Sequence, residues 1–183
     1  MDFRYLTEFS DVGSRTTLAR ALDILEAQAR KPGPALASSH LAAEWFRIRL
    51  SPLSHEVLAV AWLNPKLHLL EFRELAHGTL DRVMVYPREV VKSALAANAW
   101  AGILAHNHPS GDAEPSDADI ALTHELQAAL RLVDVKLLDH FIVTAAQPPF
   151  SMAQARLLVP EPGLRPALAL AGRVKGRRKA ARP

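Results

Sequence analysis

From residue 57 onward, short unbroken apolar runs alternate with longer stretches in which apolar residues recur every three or four positions. The clearest run is "VLAVAWL" (57–63). Successive strand residues face opposite sides of a sheet, so an uninterrupted run of this kind predicts a strand covered on both faces. After the turn signal "NPK", "LHLLEFREL" (67–75) predicts a second strand, antiparallel to the first. "VMVYP" (83–87) predicts a short extended entry, and "WAGILAH" (100–106) and "VKLLDHFIVT" (135–144) predict two further strands.

Helical spacing fills the intervals. Residues 15–30 place Leu18, Leu22 and Leu25 at helical positions, and "KPGPA" (31–35) ends that helix as a linker. Ser38 or Ser39 caps a second helix over 39–50, with Leu41, Trp45 and Ile48 on its stripe. Pro87 opens a helix with Val90, Val91, Ala94 and Leu95 along one side. "SDADIALTHELQAALRLV" (116–133) carries Leu122, Leu126, Ala129, Leu130 and Val133 on one face, and "FSMAQARLL" (150–158) predicts a closing helix. The order argues an α/β fold: a single mixed β-sheet flanked by helices, with an N-terminal helical extension. The expected division is an extension over 1–50, a domain over 51–160 and a basic, disordered tail over 161–183.

Composition narrows the chemistry. The chain has 183 residues and no cysteine, so a metal must be held by His, Asp or Glu, and thiol catalysis is excluded. Residues 165–183 hold seven Arg or Lys and no acid, leaving 15 bases against 19 acids elsewhere. Such a tail suits either nucleic-acid phosphates or a solvated end; no aromatic residue interleaves its charges. The first residues, "MDFRYLTEFSDVG", lack the basic and apolar regions of a signal peptide, and no run is long enough to span a bilayer. The expectation is a soluble, cytoplasmic protein with no membrane partner.

The stretch "LAHNHPSGDAEPSDAD" (104–119) carries the candidate chemistry. If the strand continues through residue 108, His106 and His108 project from the same face. Pro109 stops the strand, Ser110-Gly111 turn the chain, and Ser116 caps the next helix with Asp119 in its first turn. Two His and one Asp leave the fourth tetrahedral position of a zinc ion to water, as catalytic sites do. The same residues also read without metal: Ser116 and Asp119 as a capping box, the histidines as polar groups at a strand end. Spacing alone leaves both readings open. Asn107 is expected to fix the turn. His140 and Asp139, in "LLDHFIV", are candidates to orient the site from the adjacent strand or to be hydrogen-bonded strand residues. His55, His68, His77 and His124 are expected to be structural or surface residues, and Trp45, Trp62 and Trp100 core or interface residues.

The whole phrase resembles the signature of the RadC family, a JAB/MPN-type domain. It contains the JAMM metalloprotease pattern of His-x-His-Pro, six residues, Ser, two residues, Asp. "GTLDRVMVYPREVVKSALAANAWAGILAHNHPSG" and "VDVKLLDHFIV" resemble the same family, over roughly Ser54 to Thr144. The resemblance implies a JAB/MPN, cytidine-deaminase-like architecture. It implies His106, His108 and Asp119 as zinc ligands and Ser116 as the hydroxyl that steadies an oxyanion. It also implies an upstream glutamate: "SHEVLAV" is similar to the family's "HEVF", which makes Glu56 the general base. Spacing by itself does not single out Glu56 over Glu71 or Glu74. Where many relatives read Glu-Glu-Leu, this chain has Arg73-Glu74-Leu75, and only residues 1–50 stand where longer members carry a helix-hairpin-helix region.

Two functions follow as expectations. One is a zinc-dependent JAMM-type hydrolase of a peptide or isopeptide bond in a protein substrate. The other is a DNA-repair-associated interaction module with a structural or vestigial metal, touching nucleic acid through the basic tail.

Overall fold

The computed structural model describes residues 33–78 and 85–160, together with Thr16, Thr17, Arg20 and Ile24. Those four are helical and exposed. The rest of the expected helix over 15–30, Val83 and Met84 of the "VMVYP" segment and the basic tail lie outside the described residues.

The elements follow the sequence in the order α1 (Ser39–Leu50), β1 (Val57–Leu63), β2 (Leu69–His77), α2 (Pro87–Ala96), β3 (Ala101–Asn107), α3 (Asp117–Arg131), β4 (Lys136–Val143) and β5 (Phe150–Ser151). The strands form one mixed sheet in the order β2-β1-β3-β4-β5. β1 is antiparallel to both neighbours, with Leu58 opposite His106 and Trp62 opposite Gly102. β3 and β4 are parallel and are joined through α3, as parallel neighbours require a crossover. All seven residues of β1 and of β3 are buried, as their apolar runs predict.

Each strand divides its side chains between two apolar layers. Val57, Ala59, Ala61, Ile103, Ala105 and Phe141 pack with Ala42, Phe46 and Leu50 of α1. Leu58, Val60, Trp62 and Leu104 pack with Val90 and Ala94 of α2 and with Leu126 and Leu130 of α3. The helix expected inside the 1–50 extension is therefore a layer of the sheet domain, and the compact unit begins at Gly33. Its buried stripe differs from the expected one. Leu41 is 56% and Ile48 73% exposed, while Phe46 and Leu50, one turn apart, face the sheet. Alanines at 42 and 43 let the helix approach closely, and the large exposed residues pulled the expected stripe around the helix.

Two local expectations are corrected. "KPGPA" is more than a linker: Gly33 N donates to Leu69 O and Leu69 N to Pro34 O, so the segment adds a bridge beside β2. "FSMAQARLL" does not form a helix. Phe150–Ser151 pair with β4, and turns follow. Asp139 accepts from Ser151 Oγ at 2.6 Å and from Ala153 N at 3.0 Å, and Arg156 takes a positive φ of 62°. A carboxylate that captures the chain here competes directly with helical hydrogen bonding.

Candidate metal centre

β3 and the first turn of α3 bring the candidate ligands together. His106 is the sixth residue of β3, on the face toward α2 and α3. His108 lies just past the strand end, where its N–H still donates to Val143 O at 3.1 Å. Pro109 cannot continue the ladder, and the chain turns through Gly111 at φ 90°.

Ser116 then caps α3, and the cap explains how Asp119 is aimed. Its Oδ2 accepts from Ser116 N at 2.8 Å and from Ser116 Oγ at 2.6 Å, while Asp119 N donates to Ser116 Oγ at 3.2 Å. The capping box and the metal reading turn out to be compatible, because the box uses one carboxylate oxygen. The other, Oδ1, is buried and has no hydrogen-bond partner. It stands 3.5 Å from His106 Nε2, and His106 Nε2 stands 2.9 Å from His108 Nε2. One ligand atom from each of His106, His108 and Asp119 lies within 4.8 Å of the others.

The donor set fits a divalent cation. His108 Nδ1 lies 2.8 Å from Asp112 O, a carbonyl that only accepts, so Nδ1 carries the proton and Nε2 keeps its lone pair. A carboxylate oxygen left bare in a buried site costs about 1–3 kcal/mol or more unless something positive meets it. Zinc ligands at about 2.0–2.1 Å in a tetrahedron lie about 3.3 Å apart, and the separations of 2.9 and 3.5 Å bracket that value.

Behind His106 runs a buried polar chain. His106 Nδ1 is 2.8 Å from His140 Nε2, His140 Nδ1 is 2.6 Å from Thr123 Oγ1, and Thr123 Oγ1 is 2.5 Å from Asp119 O. Burial is the main reason that the pKa of His106 falls to about 4; Asp119 pulls it up and His108 down. Burial likewise pushes His140 well below its usual range, reinforced by His106 and His108. Both imidazoles are therefore neutral at pH 7, the form in which a ring nitrogen can ligate.

Glu56 immediately precedes β1 and is half-buried. Extending the antiparallel register two steps past the Leu58–His106 pair brings it to the level of His108. Its carbonyl accepts from Gly78 N at 2.9 Å. The segment is also held from β3. Asn107 Oδ1 accepts from Val57 N at 2.8 Å, and Nδ2 donates to His55 O at 2.9 Å and Leu53 O at 3.3 Å. Asn107 thus fastens the approach to β1, whereas the sequence pointed it at the Pro-Ser-Gly turn.

The remaining candidates fall elsewhere. Asp139 holds the 150–153 segment, and burial raises its pKa to about 6 against the opposing bonds from Ser151, Ala153 and His140. Arg73 pairs with Glu71. His68 meets Gly33 O, His77 lies beside Glu74, and His124 meets Leu157 O. Trp62 is a core residue bonded to Ser93 Oγ. Thr123 is the site residue that sequence reasoning missed. Its signal was a buried polar line on α3, in which Asp119, Thr123 and Gln127 are spaced one turn apart. No helix among the described residues is long and apolar enough to cross a membrane.

Comparison with known sequences gives the family. The family profile described as "RadC-like JAB domain" matches residues 36–157. A UPF0758 protein of Dechloromonas aromatica (strain RCB) is 56% identical over 115 residues, covering 63% of this chain and 51% of the relative. The UPF0758 proteins YkfG and YeeS of Escherichia coli (strain K12) are 44% identical over 144 residues and 43% over 146 residues. These matches cover 79% and 80% of this chain, and 90% and 98% of YkfG and YeeS. Against longer curated relatives, such as that of Dechloromonas, the chain spans about half the length.

Proposed function

The chain belongs to the RadC-like JAB domain family, and from that premise and the geometry of the site we propose that it is a zinc-dependent hydrolase of peptide or isopeptide bonds. The observation that carries the reading is the convergence of His106 Nε2, His108 Nε2 and the unpartnered Asp119 Oδ1. A zinc ion held by these three supplies a Lewis acid that acidifies water toward pKa about 7 and polarises a carbonyl.

The protein side chains do the rest. Glu56, at the level of His108 on the neighbouring chain segment, takes the proton from the attacking water and returns it to the leaving amine. Ser116 Oγ, whose proton goes to Asp119 Oδ2 at 2.6 Å in the resting site, gives up that bond to donate to the oxygen that gains charge as the carbonyl is attacked, while Ser116 N keeps its bond to Oδ2. Burial of His106 and Asp119 keeps bulk water from screening the charges that develop. The cluster is reached from the side of His108.

Metal analysis of the purified chain, combined with a screen of peptide and isopeptide substrates, tests the proposal. The expected result is one zinc per chain, removable by chelation, with hydrolysis lost in Glu56→Gln while zinc is retained. A chain that takes up no zinc, or a Glu56→Gln variant as active as the wild type, sinks it.

A further inference from the structure

The buried chain behind His106 has a direction, and a main-chain carbonyl sets it. Thr123 has one hydroxyl proton and two close oxygen or nitrogen neighbours, Asp119 O at 2.5 Å and His140 Nδ1 at 2.6 Å. The carbonyl can only accept. Were the hydroxyl to donate to His140 Nδ1 instead, two oxygens would face each other at 2.5 Å with no hydrogen between them. The hydroxyl therefore donates to Asp119 O, the usual bond of a helical threonine to the carbonyl one turn back. Met152 Sδ, 3.5 Å from the hydroxyl, is only a weak acceptor and leaves this order intact.

The remaining protons follow in sequence. His140 Nδ1 must donate to Thr123, so His140 Nε2 is bare. It accepts from His106 Nδ1 at 2.8 Å, which leaves His106 Nε2 without a proton and facing Asp119 Oδ1. The circuit closes on one residue. The backbone of Asp119 anchors the chain that orients His106, and its side chain stands beside the nitrogen so exposed.

We propose that Thr123 and His140 are positioning residues that lock His106 in its Nδ1-protonated form and so present its Nε2 lone pair to a bound cation. The inference rests on the metal reading above, and it adds how the site is made ready for the ion. Partners of this kind fix both the tautomer and the ring plane of a ligand, and losing one typically weakens metal affinity about 10- to 100-fold.

The test uses the full chain, with zinc and Co2+ as probes. Affinities are measured by chelator competition for the wild type, Thr123→Val, Thr123→Ser, His140→Leu and His140→Gln. Histidine 15N spectra of the zinc-loaded protein report which ring nitrogen carries the proton. Thr123→Val keeps the side-chain shape without the hydroxyl, so it carries the test should His140→Leu fail to fold. Thr123→Val and His140→Leu are expected to weaken zinc about 10- to 100-fold and to alter the visible Co2+ spectrum. Thr123→Ser and His140→Gln, which restore a hydroxyl and an acceptor, are expected to recover both. Wild-type spectra should show His106 protonated at Nδ1. Normal wild-type uptake with unchanged affinity in Thr123→Val and His140→Leu overturns this inference alone, as does a proton on His106 Nε2. A wild type that binds neither ion overturns the metal reading, and this inference with it.

Discussion

On the α1 side of the sheet, β1, β3 and β4 present Val57, Ala59, Ile103, Ala105 and Phe141 to Phe46 and Leu50. On the other side the same strands run from Trp62 and Leu104, packed under α2 and α3, into His106 and His140 beside the start of α3. One face is apolar packing, which tolerates change in proportion to the volume lost. The other sets buried polar atoms beside a core, and each of those atoms needs a partner. The difference shows why the candidate centre sits where it does. It lies at the one end of the sheet where a helix start supplies a cap for Asp119 and a carbonyl for Thr123.

The largest effect separating the faces should come from Phe46→Ala. The fully buried ring is central to the α1 layer, so its loss should cost about 3–5 kcal/mol in denaturant unfolding. Zinc stoichiometry in the surviving folded fraction should be unchanged. If it falls as well, the two faces are coupled and the contrast drawn here is too sharp.

Asp139 gives the next test. Its pKa in the fold is about 6, above the ordinary 3.8, so the folded state holds the proton more tightly than the unfolded chain. Its contribution is therefore favourable below about pH 4 and is lost as pH rises through about 6, by roughly 3 kcal/mol on the scale of about 1.4 kcal/mol per pH unit. Asp139→Asn lacks this titration. The stability gap between wild type and Asp139→Asn should shift in favour of the variant by that amount between pH 4 and 7. His106 runs the other way: its depressed value gives stability present above pH 6.5 and lost toward about pH 4. Because it does so in both proteins, the difference isolates Asp139. A gap that stays flat with pH would show that Asp139 titrates normally.

Smaller again is Gly102→Ala. A Cβ at this position would meet Trp62 Cζ3 at 2.5 Å, and the indole is tethered to Ser93. Thermal unfolding should report a loss of about 1–3 kcal/mol from overpacking. Ser116→Ala should cost least, about 1 kcal/mol for the missing cap, yet it removes one of the two bonds that aim Asp119 Oδ2, leaving that from the backbone N–H of residue 116, and so should also lower zinc affinity. A stability loss without any change in affinity would separate the capping role from the aim of the carboxylate.

The strands and the His/His/Asp cluster were legible because both are written in contiguous sequence. Unbroken apolar runs mark β1 and β3, and the three proposed ligands fall within residues 106–119. What escaped depends on partners far along the chain. Thr123 meets His140 across 17 positions, and Asn107 reaches Leu53, 54 positions back. Neither pairing leaves a local period. The buried side of α1 was misread because two alanines carry half of it, and hydrophobicity alone ranks Leu41 and Ile48 above them. The segment 150–158 has helical composition, but a buried aspartate on β4 outbids its helical bonds.

One carboxamide has the last consequence. Lodged between the two histidines, Asn107 acts as a clasp that joins two strand ends where the regular ladder gives out. Leucine would match its bulk and strand three main-chain groups, and aspartate would turn a donor into a repelled neighbour of two carbonyls. The tripeptide His106-Asn107-His108 therefore serves both the His/His/Asp cluster and the approach to β1. Its outer members join Asp119 in the group that could hold a metal ion, while the middle one fixes the stretch that carries Glu56.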